Sequence, residues 1–409
     1  MVEGTTTITI DPKQIEQLGS NTYRINGKKT AGQPNIQVGD YVGAWGYQVA
    51  PSYSLKGCKE VALKDANIWG GMCVITDVDG EGNNQFYNIK TTCGPRPLGA
   101  ITDRIVAVHG DGLHTTANRV GPKMENSVFE HLLDDGTNIH GHYGKVMGIE
   151  GDKVILGYGE GQQLFWKGDD LRFYNPTTEE NSALIVKSCE LLESYTPKDE
   201  YVQNVGAATF RPYKYFAVTL ESGKRNFKVG DWVINRNWTS SGYWFKNCTF
   251  RDSRSRALLI KSSDGLIENC TVSNGAAYGL WIAPEFDWLE SGYSENVVIR
   301  NCTFHSSGWM YKDSAGLTIS GGEGKGQDHD NIIVEGCTFY GNHNNDLWMS
   351  EGKNFVIRNN KFLSDPDYNA TNTIRLSNID GVTVSGNTYE AGRPSTVVVD
   401  DTVTNLKQA

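Results

Sequence analysis

The segment IENCTV at residues 267–272 decides the fold, because close variants of it recur along the chain. All variants combine apolar first and last positions with Asn, Gly or Cys between them. They are MENSVF (124–129), FKNCTF (245–250), IRNCTF (299–304), VEGCTF (334–339), IRNNKF (357–362) and VSGNTY (384–389). Taken in order with IENCTV, their fourth positions are separated by 121, 22, 32, 35, 23 and 27 residues. A step near 22 residues indicates one turn, or rung, of a parallel β-helix, which buries its apolar side chains only by stacking on the next rung.

The longer steps are interpreted as the same rung with additional residues looped out on one side, where solenoid proteins place functional residues. The step of 121 residues predicts a whole inserted module. The segments IQVGDYV (36–42) and FKVGDWV (227–233) resemble each other, and period-two alternation between them predicts antiparallel strands. We therefore predict an all-β chain with a small β-barrel module at 1–50, a first part of the parallel β-helix at 51–143, an inserted β-barrel module at 144–240 and a second part of the β-helix at 241–409.

The composition fits a solenoid, since the chain has 46 glycines and only 12 prolines. The net charge of −10 argues against nucleic acid or an anionic membrane as a partner. No apolar run approaches the ~20 residues needed to cross a bilayer, so no membrane insertion is expected. The N-terminus lacks the basic start and apolar stretch of a signal peptide. We expect the chain to derive from a longer export precursor, with the native protein secreted or periplasmic.

Four of the eight cysteines occupy the fourth position of the repeat. They are Cys248, Cys270, Cys302 and Cys337. Small apolar thiols at one rung position predict a stacked ladder of buried free cysteines, without bridges or metal. The other four cysteines show no CxxC spacing, so no zinc site is expected.

The densest group of polar residues lies at 109–142 and contains five of the eight histidines. Its members with useful chemistry are His109, Asp111, His114, Arg119, Asp134, Asp135, Asn138, His140 and His142. Asp111 and Asp134 are 23 residues apart, so we expect them on one face of adjacent rungs, with backbones ~4.8 Å apart. Carboxylates this close cannot all ionise freely, and a raised pKa keeps a general acid protonated near neutral pH. The alternative interpretation is that these acids have a structural role, as a ladder of polar side chains or as a calcium site that holds successive rungs together.

A second polar group follows the predicted insertion. Arg254 and Arg256 offer guanidinium groups that suit carboxylates or polar substrate groups. Trp288 offers a flat face for a sugar ring, and Glu290 lies in the same segment, PEFDWLESG (284–292). We expect these side chains to border the same site as the first group.

Five motifs within the two groups carry a resemblance to a known family. They are Asp-Gly-Leu-His-Thr (111–115), Gly-Pro-x-x-Glu-Asn (121–126), Asp-Asp-Gly-x-Asn-x-His-Gly (134–141), Arg-x-Arg-Ala-Leu-Leu-Ile (254–260) and Trp-Leu-Glu-Ser-Gly (288–292). Together they resemble glycoside hydrolase family 110, the exo-acting α-1,3-galactosidases that remove galactose from blood-group B-type and related glycans. The resemblance implies a right-handed parallel β-helix, a pectin-lyase-like solenoid, interrupted by small antiparallel β-barrels.

The resemblance also implies roles for individual residues. Asp111 matches the general acid of the family, and Asp134 with Asp135 matches an aspartate pair that activates water and holds the sugar. Glu290 matches a position with a binding role, and Glu160 is the acid nearest to a further glutamate of the family. The chain has Asp-Asp-Gly where the family tends to have Asp-Asp-Pro. A relative with a different sugar or linkage is therefore also compatible with the sequence.

We predict an inverting exo-glycoside hydrolase, α-1,3-galactosidase-like, that needs no metal or organic cofactor. Inversion requires an acid and a base ~6.5–9.5 Å apart, and carboxylates from different rungs reach this range. The predicted substrate-binding residues are His109, His114, Asn138, His140, Arg254, Arg256, Trp288, Glu290 and Glu160. The expected partner is an oligosaccharide or polysaccharide, with no nucleic acid, and a homodimer is left open.

Two other functions remain compatible with the sequence. In a calcium-dependent polysaccharide lyase, Asp111, Asp134 and Asp135 would hold the ion against a uronate, and Arg119 or Arg254 would remove the C5 proton. A non-catalytic glycan-binding β-helix would use the same residues without turnover. An unsaturated product abolished by a chelator would identify the lyase, and sugar binding without release of reducing ends would identify the binder.

Overall fold

The computed structural model describes residues 12–20, 22–25, 50–159, 165–175, 181–197, 202–321, 329–394 and 397–409. Within these ranges the chain forms 35 β-strands and three 3-10 helices, of three residues each. The all-β class predicted from the sequence is confirmed. The described part of the chain contains no helix with the length and apolarity required to cross a membrane.

The N-terminal segment forms a hairpin, and the first rungs follow it. After a 3-10 helix at Pro12–Gln14, strands β1 (Ile15–Gly19) and β2 (Thr22–Ile25) pair antiparallel. The first rungs contain β3 (Tyr53–Lys56), β4 (Ala62–Ile68), β5 (Ile75–Val78), β6 (Gln85–Thr91), β7 (Leu113–Thr116), β8 (Lys123–Glu125) and β9 (Val128–Glu130). The remainder of the predicted barrel at 1–50, including IQVGDYV, lies outside the described residues.

An antiparallel barrel interrupts the rungs. Its six strands are β10 (Thr137–Glu150), β11 (Lys153–Tyr158), β12 (Asp170–Tyr174), β13 (Asn181–Leu192), β16 (Lys214–Leu220) and β17 (Trp232–Asn235). They close in the order β10-β11-β16-β13-β12-β17, because β17 pairs again with β10. A separate ribbon is formed by β14 (Gln203–Val205) and β15 (Ala208–Phe210). Since β10 begins in a rung and ends in the barrel, the inserted module and the rung share one continuous strand.

The β-helix resumes after a 3-10 helix at Arg236–Trp238 and contains a third one at Phe286–Trp288. Its strands are β18 (Trp244–Lys246), β19 (Thr249–Arg251), β20 (Arg256–Ile260), β21 (Leu266–Glu268), β22 (Thr271–Ser273), β23 (Tyr278–Ile282), β24 (Glu290–Ser291), β25 (Glu295–Arg300), β26 (Thr303–His305), β27 (Ala315–Ile319), β28 (His329–Glu335), β29 (Thr338–Tyr340), β30 (Asn345–Arg358), β31 (Lys361–Phe362), β32 (Asn372–Ser385), β33 (Thr388–Tyr389), β34 (Val397–Val399) and β35 (Thr404–Gln408). Phe245 pairs in parallel with Met124, 121 residues earlier, so the rung interrupted by the barrel continues directly.

The third position of the repeat explains why the motif is rich in Asn and Gly. In all seven copies this residue has a positive φ and forms the bend between two short strands. These residues are Asn126, Asn247, Asn269, Asn301, Gly336, Asn359 and Gly386, with φ between 52° and 63°. Among L-residues, Asn tolerates this left-handed conformation well, and glycine adopts it without steric cost. The motif therefore encodes the corner of each rung.

The other repeat positions build the interior of the β-helix. Phe304, Phe339 and Phe362, at the sixth position, stack in parallel with successive ring centroids 5.1 Å apart. The four cysteines of the repeat are buried and free, and the neighbouring threonines pair in register from rung to rung. The predicted ladder of unbridged thiols is therefore confirmed.

One interior column contains a buried acid. The Asp77 side chain on β5 is fully buried, and its Oδ1 accepts a hydrogen bond of 2.7 Å from Asn84 Nδ2. Its Oδ2 has no hydrogen-bond partner among the described residues, and neither has the hydroxyl of Thr115, its neighbour in register on β7. Burial raises the pKa of Asp77 to about 6, against hydrogen bonds that favour the charged form.

We expect Asp77→Asn to make the protein more stable at pH 8, relative to wild type, than at pH 4. A carboxyl whose pKa rises on folding contributes stability that is fully present below its unfolded pKa, ~3.9, and is lost as pH rises through about 6. A shift of about two pH units corresponds to about 3 kcal/mol. Urea denaturation of both proteins at the two pH values measures this double difference. An equal effect of the substitution at both pH values would show that folding does not raise the pKa of Asp77.

Candidate active site

Asp111 and Asp135 are neighbours because they precede two paired parallel strands. Leu113 on β7 lies in register with Thr137 on β10, so this rung is 24 residues long. The expectation that Asp111 stacks on Asp134 is therefore wrong by one residue, and Asp111 stacks on Asp135. The backbone N–H of Asp135 donates to Asp111 Oδ1 over 3.2 Å. The loops that precede the strands thus project carboxylates outward at the corner of the rungs.

Asp134 completes a compact group of three carboxyls. Asp111, Asp134 and Asp135 each place an oxygen within 4.8 Å of the others. Burial, followed by the charge of Asp111, raises the pKa of Asp134 to about 6. Burial also raises the pKa of Asp135 well above its usual value, although Arg256 opposes this effect. Close packing therefore raises the pKa values of two members of the group, Asp134 and Asp135.

Arg256 anchors one side of this group from the next rung. Its Nη2 lies 2.8 Å from Asp135 Oδ2, and its backbone N–H donates to Asp135 Oδ1 over 2.9 Å. The same Nη2 lies 3.2 Å from Glu285 Oε2. The Nε of Arg256 is buried and has no hydrogen-bond partner among the described residues. Arg256 therefore keeps one donor available to a ligand.

A chain of two histidines anchors the other side and holds a proton. His140 Nδ1 lies 2.8 Å from the carbonyl of Gly141, so it must donate, and burial lowers the pKa of His140 well below its usual value. The lone pair on His140 Nε2 then accepts from His114 Nε2, 3.1 Å away. His114 Nδ1 lies 2.6 Å from Asp111 Oδ2. Thr116 Oγ1 lies 3.0 Å from the same His140 Nε2 and can also donate to it. In the arrangement in which His114 Nε2 donates to His140, Asp111 Oδ2 and His114 Nδ1 share a proton.

The charge of Asp111 also favours the protonated form of His114. Burial tends to lower the pKa of His114, but the hydrogen bond and charge of Asp111, together with Glu290, raise it above its usual value. The Asp111–His114 pair is thus equipped to deliver a proton to a bound group at neutral pH.

A fully buried lysine connects the second polar group to the first. Lys261 Nζ lies 2.6 Å from Glu290 Oε2 and 2.9 Å from Glu285 Oε2, and it donates to Asn138 Oδ1 over 2.9 Å. Asn138 Nδ2 donates in turn to Glu290 over 3.1 Å. Burial disfavours the charge of Glu290, but His140, Lys261 and His114 hold the pKa of its carboxyl well below the usual value. The pKa of Glu290 is thus shifted in the direction opposite to those of Asp134 and Asp135.

The other predicted site residues lie at different distances from this centre. Arg254 Nε donates to the carbonyl of Leu133 over 2.6 Å, and its charge lowers the pKa of Asp134, so it borders the group. His109 is half-buried, two residues before Asp111. Trp288 is 58% exposed in its 3-10 helix. Glu160 lies outside the described residues.

The sequence pattern did not identify Lys261 as a site residue and assigned no role to Glu285. Ile260 pairs with Ile139 across an insertion, which places Lys261 beside His140. The available signal was a lysine directly after the apolar run Ala-Leu-Leu-Ile (257–260), a position that a solvated lysine seldom occupies.

Three carboxyls at this spacing are also a potential ligand set for a divalent cation. However, the outward oxygens of Asp111 and Asp135 already contact His114 and Arg256. Positive protein groups therefore compensate the charges that a cation would otherwise neutralise.

Comparisons with known proteins agree with the fold. Residues 233–407 match the family model described as "Right handed beta helix region". The chain is 24% identical over 329 residues to α-1,3-galactosidase A of Shewanella woodyi, covering 78% of this chain and 50% of that protein. It is 24% identical over 302 residues to α-1,3-galactosidase B of Akkermansia muciniphila, covering 71% and 34%.

Among solved structures, a tailspike protein of an Acinetobacter baumannii bacteriophage, a capsular polysaccharide depolymerase, aligns with a TM-score of 0.34 and 12% identity. That alignment covers 83% of this chain and 40% of the tailspike. The chain spans half or less of the length of the two galactosidases it matches. It is thus a right-handed parallel β-helix protein, similar in sequence to proteins named α-1,3-galactosidases.

Proposed function

We propose that this chain is a glycoside hydrolase that removes a terminal α-linked galactose from a glycan. The observation that carries the proposal is the group of Asp111, Asp134 and Asp135, in which Asp111 contacts His114 and burial raises the pKa values of Asp134 and Asp135. The similarity to α-1,3-galactosidases supports the substrate. Asp134, the partly exposed member of the group, and the partly exposed His114 would face the glycan.

The proposed mechanism uses the two anchored sides of the site. Asp111, supplied by His114, protonates the departing glycosidic oxygen, and the Asp134–Asp135 pair accepts a proton from the attacking water. In the structure the closest oxygens lie within 4.8 Å, less than the ~6.5–9.5 Å between the carboxyls of inverting enzymes. Inversion therefore requires the carboxyls, now held by His114 and Arg256, to separate when the sugar and a water enter. We propose inversion because Asp111 and the Asp134–Asp135 pair come from adjacent rungs, so their side chains can diverge.

Other residues would bind the sugar. The free Nε–H of Arg256 can donate to a sugar hydroxyl. Glu290 and Asn138, fixed by Lys261, present an acceptor and a donor at the edge of the group. This polar wall, opposite the acids, would orient the ring while the acids act on the anomeric carbon.

We expect hydrolysis of 4-nitrophenyl α-galactoside or an α-1,3-linked galactobiose, with β-galactose as the first-formed product. Proton NMR resolves the anomeric signals before mutarotation and tests both statements. Release of α-galactose first would instead require a covalent intermediate and a nucleophilic carboxylate ~5–5.5 Å from the acid. Turnover of neither compound, with turnover of another α- or β-glycoside in a panel, would overturn the choice of galactose.

The calcium-dependent lyase is the second candidate, because the three carboxyls could hold an ion. Its predicted bases are engaged elsewhere. Arg119 pairs with Asp169 over 2.9 Å and lies over the ring of Trp166, 4.0 Å from its centroid, while Arg254 donates to a backbone carbonyl. Ultraviolet absorbance from an unsaturated uronate, lost with a chelator, would favour the lyase over the hydrolase.

A further inference from the structure

The sheet that carries the candidate active site continues beyond it along the helix axis. Strand register aligns one outward column of side chains through seven successive rungs. It runs through His114, Asn138, Leu259, Trp281, Thr318, Trp348 and Arg375. The first two residues belong to the site, whereas the last four lie on β23, β27, β30 and β32. The site and the later rungs therefore share one outer face.

Aromatic side chains adjoin the site directly. The Arg256 guanidinium lies 5.5 Å from the ring centroid of Trp281. Tyr278 stacks on Trp281 with centroids 4.9 Å apart and planes inclined by 16°. Tyr311, 53% exposed, lies 6.2 Å from Tyr278, and Trp281 Nε1 donates to Ser320 Oγ over 2.9 Å. The rings are thus fixed in position and extend the polar site with an apolar border.

Trp348 continues this surface two rungs beyond Trp281, roughly 10 Å along the axis. The Arg375 guanidinium lies 4.7 Å from its ring centroid and 3.5 Å from Asp313. Between the two tryptophans, Thr318 is fully buried, and its hydroxyl has no hydrogen-bond partner among the described residues. Thr318 therefore lies below the surface, and the two tryptophan side chains are the partly exposed members of this stretch of the column.

Packing of the core does not account for these residues. Neither Trp281 nor Trp348 belongs to the interior cluster, whose members on the same strands are the alternating residues Leu280, Leu317 and Leu347. The positive charges nearby are already compensated, since Arg375 pairs with Asp313 and Arg256 pairs with Asp135. Flat rings, hydroxyls and compensated charges suit neutral sugars, which present apolar faces and polar edges.

We propose that Tyr278, Trp281, Trp348 and Arg375, the aromatic track, bind the part of a glycan chain that extends beyond the reacting sugar. This inference rests on the proposed function and names its substrate class: a linear oligosaccharide of neutral sugars lying along the helix axis. A terminal sugar enters the acid group, and the following units contact Trp281 and then Trp348.

The test measures binding independently of hydrolysis. Calorimetry would compare mono-, di-, tri- and tetrasaccharides of galactose, glucose and xylose, on wild type and on Trp348→Ala. We expect wild-type affinity to rise with chain length for at least one series, and the variant to bind its longest member roughly tenfold more weakly. Trp244→Ala is the matched control, because Trp244 is also partly buried with a cation, Lys246, 5.0 Å from its ring centroid, but lies on another strand column.

The outcomes separate this inference from the proposed function. Turnover of the nitrophenyl galactoside by wild type, together with affinity that rises with chain length and falls in Trp348→Ala, supports both. If affinity rises with chain length and requires Trp348, but no glycoside is hydrolysed, the proposal of the aromatic track is supported and the proposed hydrolase function is wrong. Affinity that does not rise with chain length, or that falls equally in Trp244→Ala, overturns the aromatic track. Thermal unfolding of both variants shows whether either has lost its fold.

Discussion

Asp135→Asn is expected to lower kcat on the hydrolysed galactoside by roughly 10²–10⁴-fold, the range that general acid–base catalysis contributes. An asparagine keeps the shape of the side chain and can still accept from the backbone N–H of Arg256, but it cannot take a proton from water. Because the pKa of Asp135 is raised by burial, its neutral amide is also tolerated in the folded protein. The loss should therefore appear in turnover and not in stability.

The same substitution at Asp111 and at Asp134 tests the roles separately. Asp111→Asn removes the proton shared with His114, so a substrate with a good leaving group, such as a nitrophenyl glycoside, should lose less activity than an oligosaccharide. Asp134→Asn should affect both substrates alike, since water activation does not depend on the leaving group. Asp77→Asn, which replaces a buried aspartate of the same β-helix outside the site, is the matched control and should leave turnover unchanged.

Near wild-type turnover in all three site variants would contradict the assignment. Unfolding of the variants would instead support a structural role for the acids, and denaturation curves distinguish that case. Restoration of stability in such variants by calcium would favour the ion site.

The fold could be predicted from the sequence because each rung repeats the same short motif. An Asn or Gly at the third position of the repeat specifies a left-handed corner, and the apolar positions around it specify the stack. Because the motif occurs seven times, the sequence predicted the β-helix even though two of the copies are 121 residues apart. The closure of the inserted barrel depends on pairings between distant strands, which period-two alternation alone does not fix.

The site could be predicted only in part, because some of its residues come from distant strands. Asp111, Asp135, His114 and His140 are close in sequence, so one rung spacing brought them together. The sequence predicted a rung of 23 residues, whereas the structure has 24, so Asp135 and not Asp134 lies next to Asp111. Rung length depends on the loops between strands, and the sequence pattern does not fix loop length to a single residue. Lys261 joins the group through a strand pairing across the barrel, and nothing local in the sequence encodes that pairing.

Lys261→Met is expected to destabilise the folded protein by about 3–5 kcal/mol, as measured by denaturant unfolding at pH 8. Lys261 is fully buried and contacts two carboxylates, Glu285 and Glu290. Removing the cation leaves Glu290 with an uncompensated charge in a buried site, while Arg256 still lies near Glu285. Methionine preserves the volume, so the effect would report charge more than packing.

The pH dependence of this loss distinguishes the charge from the shape of the side chain. In wild type the pKa of Glu290 lies well below the usual value, so its contribution to stability is present above the unfolded pKa, ~4.3. Without Lys261 the folded pKa of Glu290 must rise, and protonation at pH 5 relieves the buried charge. The variant should therefore be destabilised less at pH 5 than at pH 8, and the double variant Lys261→Met, Glu290→Gln should recover most of the lost stability.

The matched control is Lys153→Met, which removes an exposed lysine 3.5 Å from Glu190 and should cost at most about 1 kcal/mol. A loss for Lys261→Met that is equally small, or one that neither acid nor Glu290→Gln relieves, would show that the lysine does not hold the carboxylates of the site in their charged form.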